Sequence, residues 1–101
     1  MMQDVRVLIV EDDPASTNYL EIILSKEGLE YKTATDGKQG LEVFKSFKPH
    51  IVLSDINMPF MSGIELLSEI KRIHPQTIVI MLTAFNSEEY VIESMKFGAN
   101  N

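Results

Sequence analysis

The sequence predicts an α/β fold, a doubly wound parallel sheet with helices on both faces. Three observations carry this prediction. Short apolar runs alternate strictly with segments of helical period, the runs end in acidic or polar residues, and the helical segments open on cap residues and close on Gly or Pro. Strand and helix units in strict alternation demand right-handed crossovers, and such sheets place their working site at the carboxyl ends of the strands, near the point where strand order reverses.

The first strand is the nearly unbroken run Val5, Val7, Leu8, Ile9 and Val10, which reads as buried on both faces and ends in Glu11, Asp12 and Asp13. Asp13 before Pro14 is a helix start, an N-cap acceptor preceding the residue best suited to the first helical position. Leu20, Ile23 and Leu24 supply that helix's core stripe and Gly28 ends it. Leu29, Tyr31 and Thr33 alternate with Glu30 and Lys32, the half-exposed pattern of an edge strand. Asp36-Gly37 then opens a helix carrying Leu41, Phe44 and Phe47, closed by Pro49. Ile51-Val52-Leu53 is a buried strand ending at Ser54-Asp55; a loop through Pro59 and Gly63 leads to a helix bearing Leu67, Ile70 and Ile73, stopped by His74-Pro75. Thr77 to Leu82 is a fourth apolar strand ending at Thr83. Asn86 with Glu89 three residues on resembles a capping box for a helix carrying Ile92 and Met95, which Gly98 closes.

A chain of 101 residues with 45% hydrophobic content supports one core and not two. Its net charge of -6 opposes direct binding to nucleic acid or an anionic membrane. With no cysteine, disulfides, thiolate zinc sites and cysteine nucleophiles are excluded, which fits a reducing compartment such as the cytoplasm. No run reads as a secretion signal or reaches membrane-spanning length, and no repeat or low-complexity linker interrupts the chain.

The strand ends therefore gather Glu11, Asp12 and Asp13 after the first strand, Asp55 after the third, and Thr83 with Ala84 after the fourth. Two carboxylates about 4 Å apart repel by roughly 4 kcal/mol at an effective dielectric near 20, so such a cluster needs protons or a cation. Hard oxygen ligands without nearby cysteine or histidine suit Mg²⁺ better than zinc or copper. An Asp at a buried strand end beside such a metal is also a nucleophile suited to forming an acyl phosphate. Thr83 can donate its hydroxyl to that group, and Ala84 is small enough to leave the approach to Asp55 open.

Three stretches together resemble the receiver domains of response regulators, the two-component signalling switches that include the chemotaxis regulators. Asp55-Ile56-Asn57-Met58-Pro59-Phe60-Met61-Ser62-Gly63 resembles the family's phosphoacceptor motif, Val10-Glu11-Asp12-Asp13 its acid-pair segment, and Leu82-Thr83-Ala84 its switch segment. The resemblance covers the whole chain. It implies a flavodoxin-like strand order 2-1-3-4-(5), with Asp55 as phosphoacceptor and Glu11 and Asp12 as the acid pair. It further implies Asp12 and Asp55 as direct metal ligands and the Asn57 carbonyl as a backbone ligand. Which two of Glu11, Asp12 and Asp13 form the pair is left open by the residues; Glu11 and Asp12 are chosen because they follow the apolar strand immediately. The implied partners are a sensor histidine kinase or phosphotransfer protein, with a C-terminal output domain or separate effector downstream. The phosphoryl group adds roughly 1.5 to 2 negative charges, and Thr83 would turn toward it, biasing a surface around the fourth helix by about 1 to 3 kcal/mol.

The family pattern continues past Gly98-Ala99 into a fifth strand, carrying a lysine, and a fifth helix. On this reading residues 1–101 are one receiver domain, C-terminally incomplete, and Lys96 is no substitute because it precedes Gly98. The open apolar edge at Ile78 to Leu82 then predicts a dimer through the fourth strand or an exchanged element.

Two other functions compete. A Mg²⁺-dependent phosphohydrolase using an aspartyl phosphate would want a second acid two residues after the nucleophile, where Asn57 stands. A non-phosphorylated pseudo-receiver would serve only as a binding module. Asp13 is read as a helix cap; His50 and His74 as structural; Met58, Met61 and Met81 as packing residues.

Overall fold

A computed structural model of the chain describes residues 5–82. Its elements run in the predicted order: β1 (Arg6–Val10), α1 (Pro14–Lys26), β2 (Glu30–Ala34), α2 (Gly37–Phe47), β3 (Ile51–Asp55), α3 (Gly63–Ile73) and β4 (Ile78–Leu82). All strand pairs are parallel, in the order β2-β1-β3-β4. Chain order and spatial order part between β1 and its two neighbours, so the carboxyl end of β1 lies at the switch point, the crevice where such sheets bind ligands. The fourth helix expected around Ile92 and Met95 lies outside the described residues, as do Thr83 and Ala84.

Strand parity divides the core. Leu8 and Val10 of β1 join Val52, Phe44, Leu66, Leu67 and Ile70 on the side of α2 and α3, whereas Val7 and Ile9 join Leu24 with Leu20, Leu53 and Ile51 on the side of α1. Residues that alternate between two buried clusters are what a central strand requires, which explains the unbroken apolar run. β2, at the edge, keeps only Ala34 buried; Thr33 is exposed.

The predicted caps form. Asp13 accepts from the Ala15 N–H and Asp36 from that of Gln39. At the end of α1, Leu29 N–H donates to Leu24 carbonyl and Gly28 N–H to Ser25, with Gly28 at φ 71°, a Schellman closure that requires the left-handed region. Two stripe residues depart from expectation. Ile23 is exposed because helical phase turns Leu20 and Leu24 to the sheet, one turn apart, and Ile73 is exposed because it is the last residue of α3 and overhangs the strands. Leu66 of α3 is fully buried as well, beside the predicted stripe of Leu67 and Ile70.

His50 accepts the Arg6 N–H on Nδ1 at 3.0 Å while its own N–H donates to the Arg6 carbonyl at 2.9 Å, tying β1 to the start of β3. His74 caps α3 and its Nδ1 lies 3.0 Å from the Thr77 hydroxyl. Met58, Met61 and Met81 pack on the α2/α3-side cluster.

Candidate functional site

The parity that places Val7 and Ile9 toward α1 carries one residue further, to Glu11. On β3 the same alternation through Ile51 and Leu53 reaches Asp55. Because Val10 is in register with Ser54, the next residues, Glu11 and Asp55, leave the sheet side by side on the same face. Asp12 follows at the turn into α1. Carboxylate oxygens of Glu11, Asp12 and Asp55 lie within 4.8 Å of one another. They open into a cleft of about 730 Å³ lined also by Asp13, Ser16, Tyr19, Leu20 and Leu82.

Burial differs within this group. Glu11 is 7% exposed, Asp55 is half-buried, and Asp12 is at the surface. Glu11 accepts the Asp13 N–H at 3.1 Å, which links the base of the cleft to the start of α1. Asp13 is not part of that close group; its carboxylate accepts from the Ala15 N–H and from the Ser16 hydroxyl at 2.9 Å. Of three consecutive acids, the structure thus gathers two with Asp55 and uses the third as a cap.

Electrostatics follow from that packing. Burial pushes the Glu11 carboxyl up from 4.5 to about 7, opposed by the Asp13 N–H and reinforced by the charges of Asp55 and Asp12. Asp55 is also raised, first by burial and then by the charge of Asp12, while the Ile56 N–H, a hydrogen bond with Glu11 and the Asn57 N–H hold it down. The Ile56 N–H reaches Asp55 Oδ1 at 2.8 Å, so the carboxylate's direction is fixed by the chain that follows it. Three carboxylates within 4.8 Å of one another, one of them buried, form an all-oxygen donor set that fits a small divalent cation.

The segment after Asp55 is folded back on itself. Gly63 N–H donates to the Ile56 carbonyl at 2.8 Å. A side chain at Gly63 would overlap the Asp55 carbonyl oxygen and come within 2.8 Å of its carbonyl carbon and 2.9 Å of Ile56 Cα. Glycine is therefore required by close approach: the first turn of α3 presses on the backbone that carries Asp55. Ser62 and Glu65 cap that turn reciprocally. The Gly in the Asp55 motif was legible as a loop residue, but its backstop role was not. The Ser-x-x-Glu spacing of Ser62 and Glu65 is the signal in the sequence that marks this cap. Asn57 is exposed at the start of this loop. In β3–β4 register Asp55 faces Leu82, the residue before Thr83.

Known proteins are similar to this chain in sequence and in fold. Residues 7–101 match the family model of the response regulator receiver domain. The chemotaxis protein CheY of Thermotoga maritima is 40% identical over 97 residues, an alignment covering 95% of this chain and 81% of that protein. Several longer regulatory proteins match too, and of those the chain spans only about a fifth. Among solved structures, a chain of the CheX–CheY–BeF₃–Mg²⁺ complex from Borrelia burgdorferi superposes with TM-score 0.90 at 34% identity, covering 96% of this chain and 75% of that one. The complex of the Saccharomyces cerevisiae histidine phosphotransfer signalling protein Ypd1 with the Ssk1 receiver domain gives TM-score 0.89 at 26% identity, covering all of this chain and 78% of that one. By sequence, strand order and site together, the chain belongs to the response regulator receiver domains, the phosphorylation-dependent switches of two-component signalling.

Proposed function

We propose that Asp55 is the phosphoacceptor and that the phosphoryl group comes from a phosphohistidine on a sensor kinase or phosphotransfer protein. The observation that carries this reading is the meeting of Glu11, Asp12 and Asp55 in one open cleft with Asp55 held at the end of β3. An Asp55 carboxylate oxygen forms the bond to phosphorus as the phosphorus–nitrogen bond to histidine breaks, leaving an acyl phosphate on Asp55 and the imidazole as leaving group. Glu11, Asp12, Asp55 and the Asn57 carbonyl would hold Mg²⁺, which supplies positive charge against the phosphoryl oxygens when bound. Glu11 and Asp12 then act as charges and orienters, and the Ile56 N–H keeps Asp55 aimed into the cleft. Thr83 and Ala84, outside the described residues, take the roles of hydroxyl donor and open gate.

On this reading the chain performs its own phosphotransfer and slow self-dephosphorylation and turns over no external phosphoester. Asn57, two residues after the nucleophile, can serve as neither acid nor base. The test is intact mass after acetyl phosphate with Mg²⁺, on the wild type and on Asp55→Asn. One added phosphate on the wild type alone is expected. No addition to the folded wild type would overturn the phosphoacceptor assignment and favour an inert binding module.

A further inference from the structure

The loop between Asp55 and α3 holds a residue whose conformation works against its side chain. Phe60 has φ 70°, and the Met61 N–H donates to the Pro59 carbonyl at 2.8 Å across it. That is a γ-turn of the positive-φ kind, rare and strained for any residue with a Cβ. Its ring is 86% exposed, the most exposed large apolar side chain among the described residues. Although Phe60 edges a shallow cleft with Asp36, Lys38, Gln39 and Glu42, the ring is not buried there. Glycine would relieve the backbone and remove the exposed ring. Among the described residues nothing offsets either cost, and an exposed ring on a strained backbone is the mark of a surface that meets a partner.

Position identifies the contact. Gly63 abuts the Asp55 backbone, and Phe60 is three residues before it, at most about 11 Å of chain away. Two hydrogen bonds, Met61 to Pro59 and Gly63 to Ile56, fold the loop and shorten that path. A protein that delivers a group to Asp55 must cover the surface around it. A standard interface takes about 800 Å² per partner, a disc of about 16 Å radius, and Phe60 falls within it. Aromatic side chains at the centre of such discs carry a disproportionate share of affinity.

We infer that Phe60 is an anchor for the phosphodonor protein, seating in an apolar pocket beside the donor's phosphohistidine. The inference rests on Asp55 being the phosphoacceptor. A small-molecule donor has no such pocket, so the two kinds of donor separate the roles.

The experiment compares the full wild-type chain with Phe60→Gly and Phe60→Tyr, using acetyl phosphate and, separately, radiolabelled phospho-Ypd1. Phe60→Gly is expected to take phosphate from acetyl phosphate within about twofold of wild type. Its half-saturating concentration with phospho-Ypd1 should rise about tenfold or more while the saturated rate holds, and Phe60→Tyr should restore it. The urea midpoint of Phe60→Gly should match or exceed wild type, as glycine suits φ 70°. Unchanged transfer from phospho-Ypd1 to Phe60→Gly overturns the proposal. Equal losses with both donors also overturn it, placing Phe60 in the loop's geometry instead. Wild type labelled by acetyl phosphate but not by phospho-Ypd1 overturns it as well, because the anchor is assigned to docking of a histidine phosphotransfer protein of this kind. Failure of acetyl phosphate on folded wild type defeats the phosphoacceptor reading itself.

Discussion

Replacing Gly63 with alanine tests whether the first turn of α3 sets the position of Asp55. The added methyl would stand 2.8 Å from the Asp55 carbonyl carbon and 2.9 Å from Ile56 Cα. Ordinary carbon contacts need about 3.5 to 4.0 Å, and the overlapped Asp55 carbonyl oxygen is nearer still, so backbone must move by roughly 1 Å or more. No flexible side-chain end is available to give way, because the atoms met belong to the main chain of β3 and its exit. Overpacking of this kind costs about 1 to 3 kcal/mol, leaving a folded domain of ordinary stability. A displacement near 1 Å at a reacting group costs up to about a hundredfold in rate. The assay is urea unfolding for stability alongside the rate of mass gain with acetyl phosphate. Gly40→Ala is the control: its methyl meets the Val10 methyls at 2.9 and 3.0 Å and Leu66 Cδ2 at 3.4 Å, side chains away from the cleft. That variant is expected to lose stability, also by about 1 to 3 kcal/mol, but to keep its phosphorylation rate within about threefold. Gly63→Ala with wild-type stability and rate would refute the backstop argument; equal rate losses in both variants would show that destabilisation alone explains them.

Glu11 gives a pH dependence with a definite sign. Its carboxyl is raised from 4.5 to about 7 in the folded chain, so between those values the native state binds more protons than the unfolded state. Stability in the absence of divalent cations should therefore fall as pH rises through that window, by at most about 3 kcal/mol. Glu11→Gln should flatten the profile, and a wild-type profile already flat in urea melts would contradict the burial argument. Mg²⁺ should restore the stability lost, by about 1.4 kcal/mol for each tenfold excess over its dissociation constant, with the effect weakened in Asp12→Asn; the absence of any Mg²⁺-dependent shift in melting temperature for wild type would count against the acidic group as its site. At the other edge, β4 ends the described sheet and Ile78 is 43% exposed. Self-association through this strand is the expected outcome in light scattering, and a clean monomer at high concentration would show the edge to be covered.

The sequence made the order of elements legible because period and capping are local. Val7 to Val10 could only be a central strand, and Asp13 and Asp36 announce their helices by type and place. Rotation about a helix axis is less visible: Ile22, Ile23 and Leu24 are equally apolar, and only the sheet selects Leu24. The acid group was legible as a set of residues, while its internal division was not, since Glu11, Asp12 and Asp13 differ in depth only once strand parity is carried beyond Val10. Least visible were the features that contradict local preference. Nothing in the sequence marks Gly63 as touching Asp55, and turn propensities would never choose Phe for the positive φ of residue 60. Sequences that fold well agree with themselves at every level, and the exceptions gather where a site is held or a partner is met. Here both exceptions fall in the eight residues that follow Asp55, from Ile56 to Gly63, with a glycine pressed against the Asp55 backbone and a strained aromatic exposed on the loop. That loop is therefore the segment in which changes should alter phosphotransfer most and stability in either direction: downward when Gly63 gains a side chain, upward when Phe60 loses one.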